Sequence, residues 1–254
     1  MNWKFWQKEP QQDMEFWSVF DPLNDPLLDY LWPQPASNFF PDWFKNVPRN
    51  IDKDLSKPTI RKCPVFPEFM TTGYVVPMWA DFEIHFNDDG SYQYECAYET
   101  DQFGWEWHHP DQYLKWLPKN EQSKWGNCLK PHVPWRIKTP MGYSCYCFPM
   151  MYHFTDIQPL AGSIRTDHSH EINVPVVFPK HMMNKTIQIK QGEPWLWLIP
   201  FKREKLIARQ RPYDKETQRI TEASRFSSLS KFDNGYKAVG QMIDKKLKKD
   251  AKKG

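Results

Sequence analysis

Asp81-Phe82-Glu83-Ile84-His85-Phe86, Asn87-Asp88-Asp89-Gly90 and Ser91-Tyr92-Gln93-Tyr94-Glu95-Cys96-Ala97-Tyr98 follow one another without a break. The outer two runs alternate polar and apolar side chains. A period of two turns one face of each run to a core and the other to water. The middle run ends in Asp-Gly, which tolerates positive φ and closes a hairpin. The stretch therefore predicts two antiparallel strands. Similar runs stand on either side, at residues 73–79, 135–138, 143–148, 172–178, 185–189 and 195–199. Strands at that spacing predict a mainly β body over residues 61–205, a sandwich or a distorted barrel. Residues 101–130 are rich in Trp and His and show no clear period.

Composition agrees with this reading. In 254 residues there are 17 Phe, 13 Trp and 11 Tyr, and Pro reaches 23 against 10 Gly. Such a chain buries a sizeable core, which excludes disorder through most of its length. Aromatics with many prolines favour short strands and rigid turns over a helical bundle. The net charge of +3 argues against a nucleic-acid partner on composition alone. No run approaches 18 uninterrupted apolar residues, so no membrane-spanning helix is expected. The first ten residues lack the cationic-then-apolar order of a secretory signal. Five cysteines without regular spacing suit a reducing compartment with free thiols. Cys145 and Cys147 share a strand face and read as buried thiols rather than as a zinc pair.

Two segments flank the body. Residues 1–60 form an extended arm, with Trp17, Trp32, Trp43 and Phe44 among aromatics interleaved with Asp-Pro and Pro-x-Pro turns. No period lasts there, so the arm is expected to complete the body's core or to dock on a neighbouring chain. Those four aromatics are the interaction candidates. Residues 206–254 lose the aromatics, and the run from Ile220 is expected to be a basic helix. Its lysines, Lys245, Lys246, Lys248 and Lys249 among them, read as a solvated end or as a contact for phosphates or an acidic surface.

The densest chemistry lies in Ala161-Gly162-Ser163-Ile164-Arg165-Thr166-Asp167-His168-Ser169-His170-Glu171-Ile172-Asn173-Val174. A polar loop entering a buried strand must pair its groups or keep them wet. Arg165, Asp167, His168 and His170 are the ligand-binding candidates. His168 and His170, two apart, share a face if the loop is extended. With Gly162 they resemble the first half of the cupin metal motif. Glu171 points the other way, however, and the later segment near Gly192 holds no His. A hydrogen-bonded histidine pair is the simpler reading.

Residues 162–167, 171–174, 187–194 and 198–199, after the strand from Gly142-Tyr143 to Pro149, resemble the C-terminal strands of dUTPases and dCTP deaminases. The similarity spans about residues 135–203. It implies a β-clip, a small distorted barrel that often trimerises. The resemblance also implies lost catalysis. Arg165 stands where the family's water-orienting Asp belongs, and His168 where its uracil-stacking Tyr belongs. Met150 and Met151 replace the phosphate-contacting Arg-Ser, and Trp197 replaces a Gln. A guanidinium accepts no proton near neutral pH, so Arg165 cannot serve as the base.

Taken with Arg61-Lys62-Cys63-Pro64, Trp135 to Tyr143 and Ile199-Pro200-Phe201-Lys202-Arg203, most of residues 40–205 also resembles a family of proteins from tailed bacteriophages, notably those of marine cyanobacteria. The combined expectation is a non-enzymatic structural or interaction protein without a cofactor, located in a virion or the infected host's cytoplasm. Its partners would be other phage proteins or copies of itself, a trimer by analogy. The alternative is a nucleotide-binding, nucleotide-hydrolysing or cupin-like enzyme, with Asp167 and His168 catalytic or His168 and His170 on a metal.

Overall fold

The structure, a computed structural model, describes residues 13–97, 103–210, 212–215, 218–219, 221–222, 240–241 and 245. Its strands begin with β1 Glu15–Ser18, β2 Gln34–Pro35, β3 Tyr74–Pro77, β4 Phe82–Phe86, β5 Tyr92–Cys96, β6 Trp105–Trp107 and β7 Trp125–Pro131. They continue with β8 Trp135–Lys138, β9 Tyr143–Pro149, β10 Gln158–Pro159, β11 Gly162–Ile164, β12 Val176–Pro179, β13 Thr186–Ile189 and β14 Pro194–Lys202. The described α-helices are short: Asp42–Lys45, Val65–Met70 and Lys119–Gln122. None is long and apolar enough to cross a membrane.

The opening hairpin forms as its alternation demands. Phe82, Ile84 and Phe86 are buried while Glu83 and His85 face out. β4 pairs with β5 in the register Phe86 to Tyr92. The Asn87 N–H donates to the Ser91 carbonyl at 2.9 Å across the turn, and Gly90 adopts φ of 83°. Asp89 accepts from both the Ser91 N–H and its hydroxyl, which holds the turn closed.

The described chain divides into two compact units, one running up to Phe39 and resuming over Gly73–Glu204, the other holding Phe40–Thr72 and the residues from Lys205. The first carries four antiparallel sheets. Their orders are β2-β3-β14-β9-β11, β10-β12-β7-β6, β13-β4-β5 and β1-β8. Each order is open at both ends, so none of these sheets closes on itself. The mainly β architecture matches the sequence reading. β6 and β7 lie in the stretch that showed no period, and a long β14 extends the last expected strand by several residues.

A main core fills most of this unit, beside a smaller cluster of Leu114, Cys128 and Val177. Trp79, Trp135, Phe82, Phe86, Phe178 and Leu196 are fully buried in the main core. Each such side chain stabilises the fold by about 1.5–3 kcal/mol through burial. The Trp79 indole donates to the Phe103 carbonyl at 3.1 Å, which removes the cost of hiding its N–H.

The described residues before Phe39 belong to this core rather than to an outlying arm. β1 pairs with β8, from Glu15 opposite Lys138 to Ser18 opposite Trp135. Phe16 meets Tyr74, Phe20 meets Phe103 and Trp32 meets Trp135, with ring centroids 4.6–5.3 Å apart. Leu23 and Leu31 are completely buried. One of the interaction candidates is corrected by burial. In the other unit Phe44 is 2% exposed and offers no surface, whereas Trp32 is partly buried with its ring against Trp135. Trp17 and Trp43 keep about a third of their surface exposed. Locally these residues show no period because 3₁₀ turns and isolated strands each present a single side chain inward.

In the second unit, the helix Asp42–Lys45 is followed by a loop tied back on itself. The Thr59 N–H reaches the Arg49 carbonyl, the Ile51 N–H reaches that of Lys57, and the Arg61 guanidinium reaches the Phe44 and Lys45 carbonyls. Lys245 and residues 221–222 and 240–241 are helical. Ile220, Lys246, Lys248 and Lys249 lie outside the described residues, so the expected C-terminal helix is not defined as one element.

Candidate functional site

Residues 162–173 are positioned by β9 and β8. β11 pairs with β9, Ser163 opposite Tyr146, and Glu171 bridges back to Arg136. Between these anchors the chain turns sharply. The Arg165 carbonyl accepts from the N–H groups of His168 and Ser169, at 3.0 and 2.8 Å. Thr166 is completely buried beneath the turn, its hydroxyl 2.6 Å from that of Thr139 and 3.7 Å from the Cys145 sulfur. Burial pushes the Cys145 thiol up to about 11 and that of Cys147 to about 12. Neither forms a nucleophilic thiolate at neutral pH.

Asp167 points inward. Its side chain has no exposed surface, and Arg203 at the end of β14 clamps both carboxylate oxygens. Gly142 adds its backbone N–H at 2.9 Å. The same guanidinium donates to the Tyr143 carbonyl and the Ser144 hydroxyl, and the Arg203 N–H donates to the Gly142 carbonyl. Hydrogen bonding from Arg203 is the largest influence on Asp167 and holds its carboxyl well below the usual carboxylate range. A carboxylate so held takes up no proton near neutral pH and touches no solvent. Asp167 is therefore a structural anchor, which corrects its reading as a ligand-binding or catalytic group.

The neighbouring candidates do not converge. Arg165 and His168 are exposed, and the His168 Nε2 lies 3.7 Å from the Asp167 Oδ2. His170 turns the other way, donating through Nδ1 to the Ile137 carbonyl at 2.9 Å and meeting the Trp17 ring edge-on at 5.5 Å. Among the described residues no group of three His, Cys, Asp or Glu is placed to hold a metal ion.

The end of the loop does border a cavity. Glu171, Ile172 and Asn173 line a pocket of about 140 Å³ with Phe103, Lys130, His132 and Arg136. Its basic side chains pair with Glu171 in the lining and with Glu106 outside it. Arg136 sits 3.5 Å from Glu171. Glu106 lies directly across the β6–β7 ladder from Lys130, at 2.7 Å, and 3.3 Å from His132. The hydrogen bond from Lys130 and its charge hold the Glu106 carboxyl below its ordinary value. No Ser, Thr or Cys lines this pocket among the described residues. It has the makings of a small polar subsite.

The residues that organise this region were hidden from sequence reasoning. Arg203 stands 36 residues after Asp167, with no spacing to connect them. Glu106 and Lys130 leave a signal only when β6 and β7 are already paired. No family model matches the chain, and no curated protein matches it.

Proposed function

We propose that this chain is a non-catalytic assembly or interaction protein, with a β-clip-like body of the kind that tailed phages build into their particles. The observation that carries the reading is the Asp167–Arg203 clamp. The loop's central carboxylate, the residue type needed to steer water, is buried and saturated with donors. A loop built this way braces β9 against β14 and does no proton transfer. The antiparallel set β11-β9-β14 falls within the stretch that resembles the β-clip, which supports that finer description.

An assembly subunit needs surfaces for neighbours. Trp17 and Val19 are 36% and 46% exposed on and just after β1, which pairs on one side with β8. An edge strand with exposed apolar side chains is a template for another chain. The protein is a virion component that associates with itself or with other phage proteins, a trimer by analogy with the β-clip.

Incubation with dUTP and dCTP, each with magnesium, manganese or zinc, tests the reading. No turnover is the expected result. Turnover lost in Arg165→Ala or His168→Ala, both exposed positions that leave folding intact, overturns it. Mass spectrometry of purified phage particles tests the location, with high copy number expected and absence overturning it.

A further inference from the structure

A second cavity, of about 290 Å³, lies where three sheets present their margins. Val176 of β12, Ile187 and Ile189 of β13, Met78 after β3 and Trp195 of β14 form its apolar surface. Met78, Val176, Ile189 and Trp195 are buried, so these walls belong to the rigid core rather than to a mobile loop. Met78 and Met182 supply adaptable thioether surface. The volume is close to the lower end of the range for sites that enclose small ligands.

The polar groups at the mouth share one sign. Asp156 and Glu193 line the cavity and are exposed, and among the described residues no Lys or Arg is part of the lining. The His181 Nε2 lies 3.4 Å from the Asp156 carboxylate. Three buried tryptophan N–H groups lack a hydrogen-bond partner among the described residues, and that of Trp195 belongs to this lining. An orphan donor at this wall is served by a water or another acceptor and does not itself select the charge of a ligand.

We propose that this cleft binds a small organic cation, with a compact apolar or aromatic body and an ammonium group. The body fills the space between Val176, Ile187 and Trp195. Its ammonium group sits at the mouth against Asp156 and Glu193. An anion of the same shape meets two carboxylates and is rejected. The site is independent of the assembly reading and uses none of the 162–173 loop.

The test compares three probes of one shape, phenethylammonium, 2-phenylethanol and 3-phenylpropionate, by calorimetric titration at low ionic strength. Phenethylammonium is expected to bind saturably and about fivefold more tightly than the neutral alcohol, with the carboxylate weakest. The double substitution Asp156→Asn with Glu193→Gln, at exposed positions, brings cation and alcohol within about twofold. Met182→Trp, checked for folding by circular dichroism, fills the cleft and abolishes binding of all three. Equal binding of cation and anion, a cation preference that survives the double substitution, or no saturable binding of phenethylammonium overturns the proposal.

Discussion

The segment before Phe39, open in the sequence to completing the core or docking on a neighbour, and the loop at residues 162–173, read as a ligand site, both turn inward by different physics. The first is aromatic and proline-rich, and it settles by burying Leu23 and Leu31 in the core and packing Trp32 against it. That stabilisation follows apolar area and has no preferred direction. The second is polar and settles by aiming one carboxylate at one guanidinium and one backbone N–H. That stabilisation is directional and follows pH. The contrast teaches that clustering of a residue type in sequence is no guide to its accessibility. The aromatic run takes the core alternative of its two readings, and a polar run poised for chemistry is a brace.

The sharpest way to break the comparison is at Leu31. Replacing this fully buried side chain with Ala is expected to cost about 2–5 kcal/mol, measured by urea unfolding. If the segment is core, the same loss appears at pH 7 and at pH 5. A loss below ~0.5 kcal/mol would return the segment to a dispensable arm.

Next comes Gly73, whose carbonyl accepts from the Ala36 N–H and so ties the segment to β3. Its φ is +77°, and a Cβ there meets the Leu198 carbonyl oxygen at 2.3 Å. Gly73→Ala is expected to cost about 1–3 kcal/mol or more by thermal and chemical unfolding.

The loop is sharpened by pH. The folded-state pKa of Asp167 is depressed, so its contribution is complete above the unfolded value of about 3.9. It is lost as pH falls from there toward the folded value. Asp167→Asn is therefore expected to destabilise strongly at pH 7 and progressively less below pH ~4, the difference from the parent protein narrowing with acid. A constant difference across that window would show that the ion pair contributes nothing. The smallest effects belong to the loop's outer face. Arg165→Ala and His168→Ala are expected to shift stability by no more than about 0.5 kcal/mol, because both side chains are exposed.

Periodic runs were legible in advance. The hairpin at residues 82–96, the strands β8, β9 and β13 and the buried pair Cys145 and Cys147 follow from alternation along a single chain. β6 and β7 were not legible, since Trp, His and Pro between residues 101 and 131 mask the alternation until the strands pair. The candidate loop was found from its polar density, but its partner Arg203 and the charged pocket at Lys130 were not, because nothing local links them.

What the amino-acid order determined by itself is local: which residues extend, where Asn87-Asp88-Asp89-Gly90 turns, and that Arg165 supplies no proton acceptor. Only the tertiary structure decided that Asp167 is buried and clamped, that Trp32 lies on Trp135, and that Met78, Val176 and Trp195 border a common cleft. Strand periodicity and side-chain chemistry are properties of neighbours in the chain. Burial and ion pairing depend on groups tens of residues apart, brought together by sheets whose pairing the whole core selects.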